Sequence, residues 1–370
     1  MKLNKLIYKK DFFPLLVILI FVFLTQFSSI NREVIDWDES TFYIISKYLI
    51  NGEILYVDYW DGKPPMMFLY LAFFFKFFGT NLLVGRLAGD LLIVFSSMVI
   101  FKILQKRFSL SISLSSTLLL IYLFSYDASQ PTMTEHLGNI FILYVMYLIL
   151  NKKDRLDYYY LGLLFSLAFN TRNNLAFTCL GIFIFLIFEN KIQIDSFIKI
   201  ALGFLTPILI FSLYFFTVGG LKNYFYMLFE FPIQNTTNRY SFDELKLDIY
   251  NKLNLDKIFS IELLISLIVL ISLVYFFKSS SKLKQNPLFF LNTILFTSTL
   301  LSILAGGRLY GHYLIQVFPY IAIYFALIMN ILSKINHSNK LFITFSLIIN
   351  LNLMYSLILN LLNYDEIKQN

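Results

Sequence analysis

A chain of 370 residues that is 58% hydrophobic and 14% charged cannot stay in water as an ordinary soluble domain, and with 14 Gly and 8 Pro it is neither disordered nor collagen-like. The net charge of +7 would suggest nucleic acid in a soluble protein; in a membrane protein it reports sidedness, and no nucleic-acid partner is read from it. The single cysteine, Cys179, excludes an internal disulfide.

A helix needs about 20 apolar residues to cross roughly 30 Å of hydrocarbon, and strand-like alternation is absent here, so the spans are helices. The reading is an all-α integral membrane protein, one polytopic domain over 1–370 with about eleven spans (10–12). They fall at 12–30, 81–101, 108–126, 136–150, 158–171, 174–188, 197–217, 258–277, 287–305, 313–332 and 341–362. Lys2, Lys5, Lys9 and Lys10 precede the first run, which is too long for a signal peptide and is followed by no small-residue cleavage pattern; it is read as an uncleaved first span. A cytoplasmic amino terminus then places Lys106 and Arg107, the basic residues of 152–155, Lys278, Lys282, Lys284, Lys334 and Lys340 all on the inner side. The protein is expected in the plasma (inner) membrane, with segments 31–80 and 218–257 outside.

The first outer loop opens on "DWDES", which crowds Asp36, Asp38 and Glu39 around Trp37. Phe42, Ile45 and Leu49 recur at helical spacing, predicting a short amphipathic juxtamembrane helix capped by Ser40 or Asp38 and closed by Gly52. Pro64-Pro65 starts a second apolar segment of about fourteen residues, interrupted by Lys76, which is too short for a span and reads as re-entrant or interfacial. An ionisable residue at the bilayer centre costs at least about 2.5–3.5 kcal/mol, so those kept beside spans are functional candidates. One outer face gathers Asp38, Glu39, Asp58, Asp61, Lys63, Arg86, Asp127, Glu135, His136, Arg172, Arg308 and His312. The inner turns are mainly basic.

The Asp38-Glu39 pair, the helix closed by Gly52, "YVDYWDGKPP", Gly79 and Arg86 together resemble the bacterial GT-C glycosyltransferases, close to the protein O-mannosyltransferase and lipid A aminoarabinose transferase groups. Weaker matches in "PTMTEHLGN" at 131–139, "NTRNN" at 170–174 and "GGRLYGHYLIQVFP" at 306–319 extend the resemblance over most of the chain. It implies the GT-C fold and an enzyme that moves a sugar from a polyprenyl-phosphate carrier to a glycan, lipid or protein acceptor at the outer surface. It also implies that Asp38 is the base, and that Lys63 lies near the carrier phosphate. Such relatives often carry a soluble domain after the spans; here the last predicted span ends at 362, which leaves the acceptor to the outer loops.

Transfer to a hydroxyl needs a group to take the acceptor proton and cations to stabilise the departing phosphate, tasks that suit a carboxylate and Arg, Lys or His. Asp38 and Glu39 are therefore the catalytic candidates, with Glu39 orienting acceptor or base. Lys63, Arg86, Arg172, Arg308, His312 and Tyr313 are the phosphate-binding candidates, although Arg86 suits a pairing with a loop carboxylate equally well, and Arg172 a polar helix end. The resemblance also implies a second acidic position at Glu135-His136, which with Asp61 makes the candidate acceptor or second acidic site. The lipid-linked donor is the cofactor-like partner; a divalent ion, held by Asp38 and Glu135, is the open alternative, without HExxH or CxxC spacing to support it. The loop 218–257 reads as an acceptor lid. A polyprenyl-linked glycan flippase would show inverted hydropathy repeats and mid-membrane charges, neither of which is visible. A surface-polysaccharide polymerase or ligase would show a larger late outer loop.

Overall fold

The computed structural model describes residues 2–30, 36–125, 130–151, 156–189, 193–234, 286–306 and 310–335, and the side chains of all of these but 2–11, 28, 334 and 335. The spans expected at 258–277 and 341–362, the lid from residue 235 onward, Arg308, Asp127 and the basic residues of 152–155, 278–284 and 340 lie outside them.

Among the described residues the architecture is helical, with no sheet. In chain order it runs α1 (Lys2–Ile30), α2 (Trp37–Ile50), α3 (Met66–Phe78), α4 (Leu82–Gln105), α5 (Leu110–Leu123), α6 (Thr134–Asn151), α7 (Tyr158–Phe169), α8 (Leu175–Phe188) and α9 (Ile194–Thr217). There follow α10 (Leu221–Phe225), a π-helical turn (Tyr226–Glu230), α11 (Phe231–Gln234), α12 (Pro287–Ala305), a 3-10 helix (Gly311–Gln316) and α13 (Phe318–Ile335). Three of these, α4, α9 and α12, are long and apolar enough to cross a membrane; α3, α5, α7, α8 and stretches of α1 and α13 are shorter apolar helices.

Helix α2 forms where the periodicity predicts it, but its cap is Asp36, whose side chain accepts from the Asp38 N–H at 2.7 Å, and neither Ser40 nor Asp38. An extended residue directly before the first turn offers its carboxylate to the unpaired N–H groups there, a geometry Ser40 inside the helix cannot adopt. Gly52 ends the helix in the left-handed region, at φ +94°. Helix α3 has 13 residues, about 20 Å at 1.5 Å per residue, so it falls short of the hydrocarbon thickness. The expected span at 313–332 begins instead at Phe318, because 311–316 wind into the 3-10 helix; His312 and Tyr313 thus sit on a connector and not in a span.

Helix α4 is central and packs against α1, α3, α5 and α6, while α7 lies on α9 and α8 on α12. Its first turns read "GRLAG", small residues at i and i+4 that let other chain segments come close. A Cβ on Gly85 would strike the Tyr43 ring of α2, and one on Gly89 would strike the backbone of Pro131 before α6. Both elements that carry the candidate carboxylates are therefore drawn onto one face of α4.

Candidate active site

Asp38, at the second position of α2, points at the loop that runs from Gly52 to Pro65. Its Oδ2 accepts from Lys63 Nζ at 2.8 Å, with the side chains 27% and 25% exposed. Burial opposes the charge on this carboxyl, but Lys63, and beyond it His312 and Arg172, outweigh burial and hold it below the usual carboxylate range. Lys63 is aimed by its loop. Its N–H donates to Asp61 Oδ1 at 2.8 Å and its carbonyl accepts from Tyr56 Oη at 2.6 Å. Tyr56 is buried and holds φ +65°, a left-handed conformation that costs a non-glycine residue about 1–2 kcal/mol. The surrounding structure imposes it, because the Tyr56 carbonyl accepts from Asn223 Nδ2 at 2.6 Å and the ring lies 5.3 Å from that of Phe215. Burial raises the Asp61 carboxyl, with Asp38 adding to the effect and Lys63 opposing it.

A second acidic group arrives from α6. Glu135 is buried and pairs with Arg172 Nη1, and Thr134 Oγ1 accepts from the same nitrogen at 3.1 Å while donating to Glu135 Oε2 at 3.0 Å. Arg172 also donates from Nε to Asn174 at 3.0 Å, and its guanidinium lies 4.4 Å from the Tyr313 ring centroid. His312 links the two halves: its Nε2 is 3.9 Å from Asp38 Oδ2 and 3.9 Å from Glu135 Oε1. The Tyr310 ring stacks parallel to the imidazole at 5.6 Å.

The structure thus brings Asp38, Lys63, Glu135, Arg172, His312 and Tyr313 into one site and puts Asp61 at its margin. Glu39 and Arg86 meet elsewhere, in a fully buried pair, so Arg86 adopts the loop-carboxylate pairing. His136 is fully buried with its ring edge-on to Phe124 at 4.8 Å. Arg308 falls outside the described residues. No three of the described His, Cys, Asp and Glu side chains stand close enough together to hold a metal ion. Tyr56 and Thr134 were not anticipated, nor was Thr132, whose hydroxyl donates to Glu39 Oε1 at 3.2 Å. Both threonines sit inside "PTMTEHLGN" and their hydroxyls were a readable signal; for Tyr56 nothing in the sequence marks a left-handed residue.

Residues 221–234 pack against the 170–174 turn and the loop from Gly52 to Pro65. Asn173 Nδ2 donates to Leu228 O at 2.6 Å within the π-helical turn, Tyr224 Oη donates to Asn170 Oδ1 at 2.8 Å, and Phe231 packs on Trp60 at 4.8 Å.

Residues 62–215 match the family described as dolichyl-phosphate-mannose-protein mannosyltransferase, a stretch that starts one residue before Lys63 and includes Glu135 and Arg172. No curated protein sequence matches the chain. Its structure is similar to that of ArnT from Cupriavidus metallidurans, solved bound to undecaprenyl phosphate, with a TM-score of 0.64 at 11% identity over 98% of this chain and 73% of that one. The family match covers less than half of the chain, and the structural likeness shows the GT-C fold. Both likenesses support a membrane glycosyltransferase. Asp38 and His312 lie on either side of the matched stretch.

Proposed function

We propose that the protein transfers a sugar from a polyprenyl-phosphate-linked donor to an acceptor hydroxyl, with Asp38 as general base, at the extracytoplasmic face of the plasma membrane. One observation carries this reading: a partly open carboxylate, held in its charged form, shares a site with Lys63, Arg172 and His312. Asp38 takes the acceptor proton as the acceptor oxygen attacks the anomeric carbon. The bond from that carbon to the phosphate oxygen breaks, and its electron pair leaves with the phosphate. The donor is a phosphodiester with one negative charge, while the departing monoester gains charge, so Lys63 binds the transition state more strongly than the ground state, and the buried Arg172 adds a fixed positive field. The undecaprenyl phosphate found with ArnT supports a donor of this chemical class.

The test is purified protein offered a panel of polyprenyl-phosphate sugars with glycan, lipid and protein acceptors, in wild type and Asp38→Asn. Transfer by the wild type and its loss in the variant are expected. Equal transfer by both removes Asp38 as base. Donor that changes leaflet in proteoliposomes without transfer makes the protein a transporter instead.

A further inference from the structure

We infer that Glu39 and Arg86 are positioning residues that fix the backbone of the reacting carboxylates, and that neither touches donor or acceptor; this rests on the reading of Asp38 as base. The pair has the geometry of a joint. Arg86 Nε donates to Glu39 Oε1 and Nη2 to Oε2, both at 3.1 Å, the two-pronged arrangement that fixes angle as well as distance. The third nitrogen, Nη1, donates to the Ser29 carbonyl and reaches that of Ile30 at 3.5 Å, at the end of α1. On the other side, Glu39 Oε1 also accepts from Tyr43 Oη and from Thr132 Oγ1, each at 3.2 Å. Four segments converge on one ion pair: the end of α1, the first turns of α2, the first turns of α4, and the strand of chain leading into α6.

Position along the chain gives the joint its consequence. Glu39 is the residue after Asp38, and Thr132 comes three residues before Glu135, so the pair holds both acidic segments of the site at once. Successive residues on a helix point about 100° apart. While Glu39 is turned inward onto Arg86, Asp38 faces Lys63. Each side chain is 1% exposed, which leaves no route for a phosphate to Arg86 and none for an acceptor to Glu39. Buried ion pairs are weak evidence for stability but are well suited to fixing register.

The experiment uses full-length protein in detergent or nanodiscs, with Glu39→Gln, Arg86→Lys and the milder Tyr43→Phe, which removes one bond and leaves the pair intact. Binding of undecaprenyl phosphate, turnover at saturating donor per folded molecule, and zero-length coupling of Asp38 to Lys63 by a water-soluble carbodiimide are measured on each. In wild type the 2.8 Å contact yields a 38–63 isopeptide link that peptide mass spectrometry detects. Expected are a fall in kcat of about ten- to a hundredfold in Glu39→Gln and Arg86→Lys, a few-fold fall in Tyr43→Phe, undecaprenyl phosphate affinity within about threefold, and link yields that drop in the same order. Arg86→Lys that weakens undecaprenyl phosphate binding tenfold with kcat kept would make Arg86 a phosphate ligand and overturn the inference. Link yields equal to wild type in all three variants would also overturn it, whatever the turnover. A wild type that forms the link but transfers no sugar would refute the proposed reaction and leave the positioning role decided by the yields alone.

Discussion

Two ion pairs face each other across His312, and they are built differently. Asp38–Lys63 is a single hydrogen bond between side chains that are about a quarter exposed; Glu135–Arg172 is shut in, with Thr134, Asn174 and the Tyr313 ring all engaged on the arginine. A partly open pair with one bond is more easily exchanged for another partner than one closed in on every side. A buried pair with several bonds keeps its charges where they are, and losing one partner strands the other. The open carboxylate is thus suited to meeting a substrate proton and the buried one to holding a fixed field opposite it.

The comparison breaks first at Asp38. Asp38→Asn keeps the side-chain shape and removes the proton acceptor, and the expected loss in kcat is about a hundred- to ten-thousandfold with an unchanged melting profile. Arg172→Met should do the reverse in kind: it leaves Glu135 charged and unpaired inside the bundle, so folded yield and heat-denaturation midpoint should fall by an amount equivalent to about 3–5 kcal/mol. If the two variants behave alike, either both reducing kcat alone or both unfolding the protein, the division between a reactive and a fixed pair is wrong.

Lys63 sharpens the same contrast in two measurements. If Lys63 binds the donor phosphate as proposed, Lys63→Met removes a charge-assisted bond worth about 1.5–3 kcal/mol, and undecaprenyl phosphate affinity should fall roughly ten- to a hundredfold. It also changes the acid limb of the rate profile. As the proposed base Asp38 would act only when charged, and its carboxyl is held below the ordinary range, so wild-type activity should fall only as the pH drops through that low value. With Lys63 gone, burial acts against the charge with less to oppose it, and the limb must move to higher pH. A limb that stays in place would mean that the titrating group is not Asp38.

Much of this site was legible in the sequence. "DWDES", the Lys63-Pro64-Pro65 turn and Glu135 stood out because charge is costly beside a membrane, whichever way the helices pack. The resemblance to the GT-C enzymes carried the fold and drew His312 and Arg172 to the same place. What sequence could not give was direction. Whether Asp38 or Glu39 faces Lys63 depends on where α2 starts, and that is set by Asp36, a residue the periodicity passes over. Arg86 looked as fit for phosphate as for a carboxylate, because its partner is decided by the close approach that Gly85 permits between α2 and α4. The 3-10 winding of 311–316 was invisible to an apolar pattern that continues through it, so His312 was read at the mouth of a span.

The smallest effect tests how rigid the buried half is. The Tyr313 ring covers the Arg172 guanidinium at 4.4 Å, a cation–π contact worth about 0.5–2 kcal/mol according to how far it is desolvated, and Tyr313 also packs edge-on against His312 at 4.8 Å. Tyr313→Phe keeps the ring and both contacts, whereas Tyr313→Leu keeps apolar bulk and loses the π face. If the ring steadies Arg172 and the imidazole, the Phe variant should transfer sugar at close to the wild-type rate and the Leu variant several-fold more slowly, with a modestly lower denaturation midpoint. If instead the phenolic hydroxyl binds the donor phosphate, the Phe variant should lose undecaprenyl phosphate affinity as much as the Leu variant does. Equal loss in the two would move Tyr313 from the support of the buried pair to the phosphate itself, and the two halves of the site would then share the work of gripping the donor.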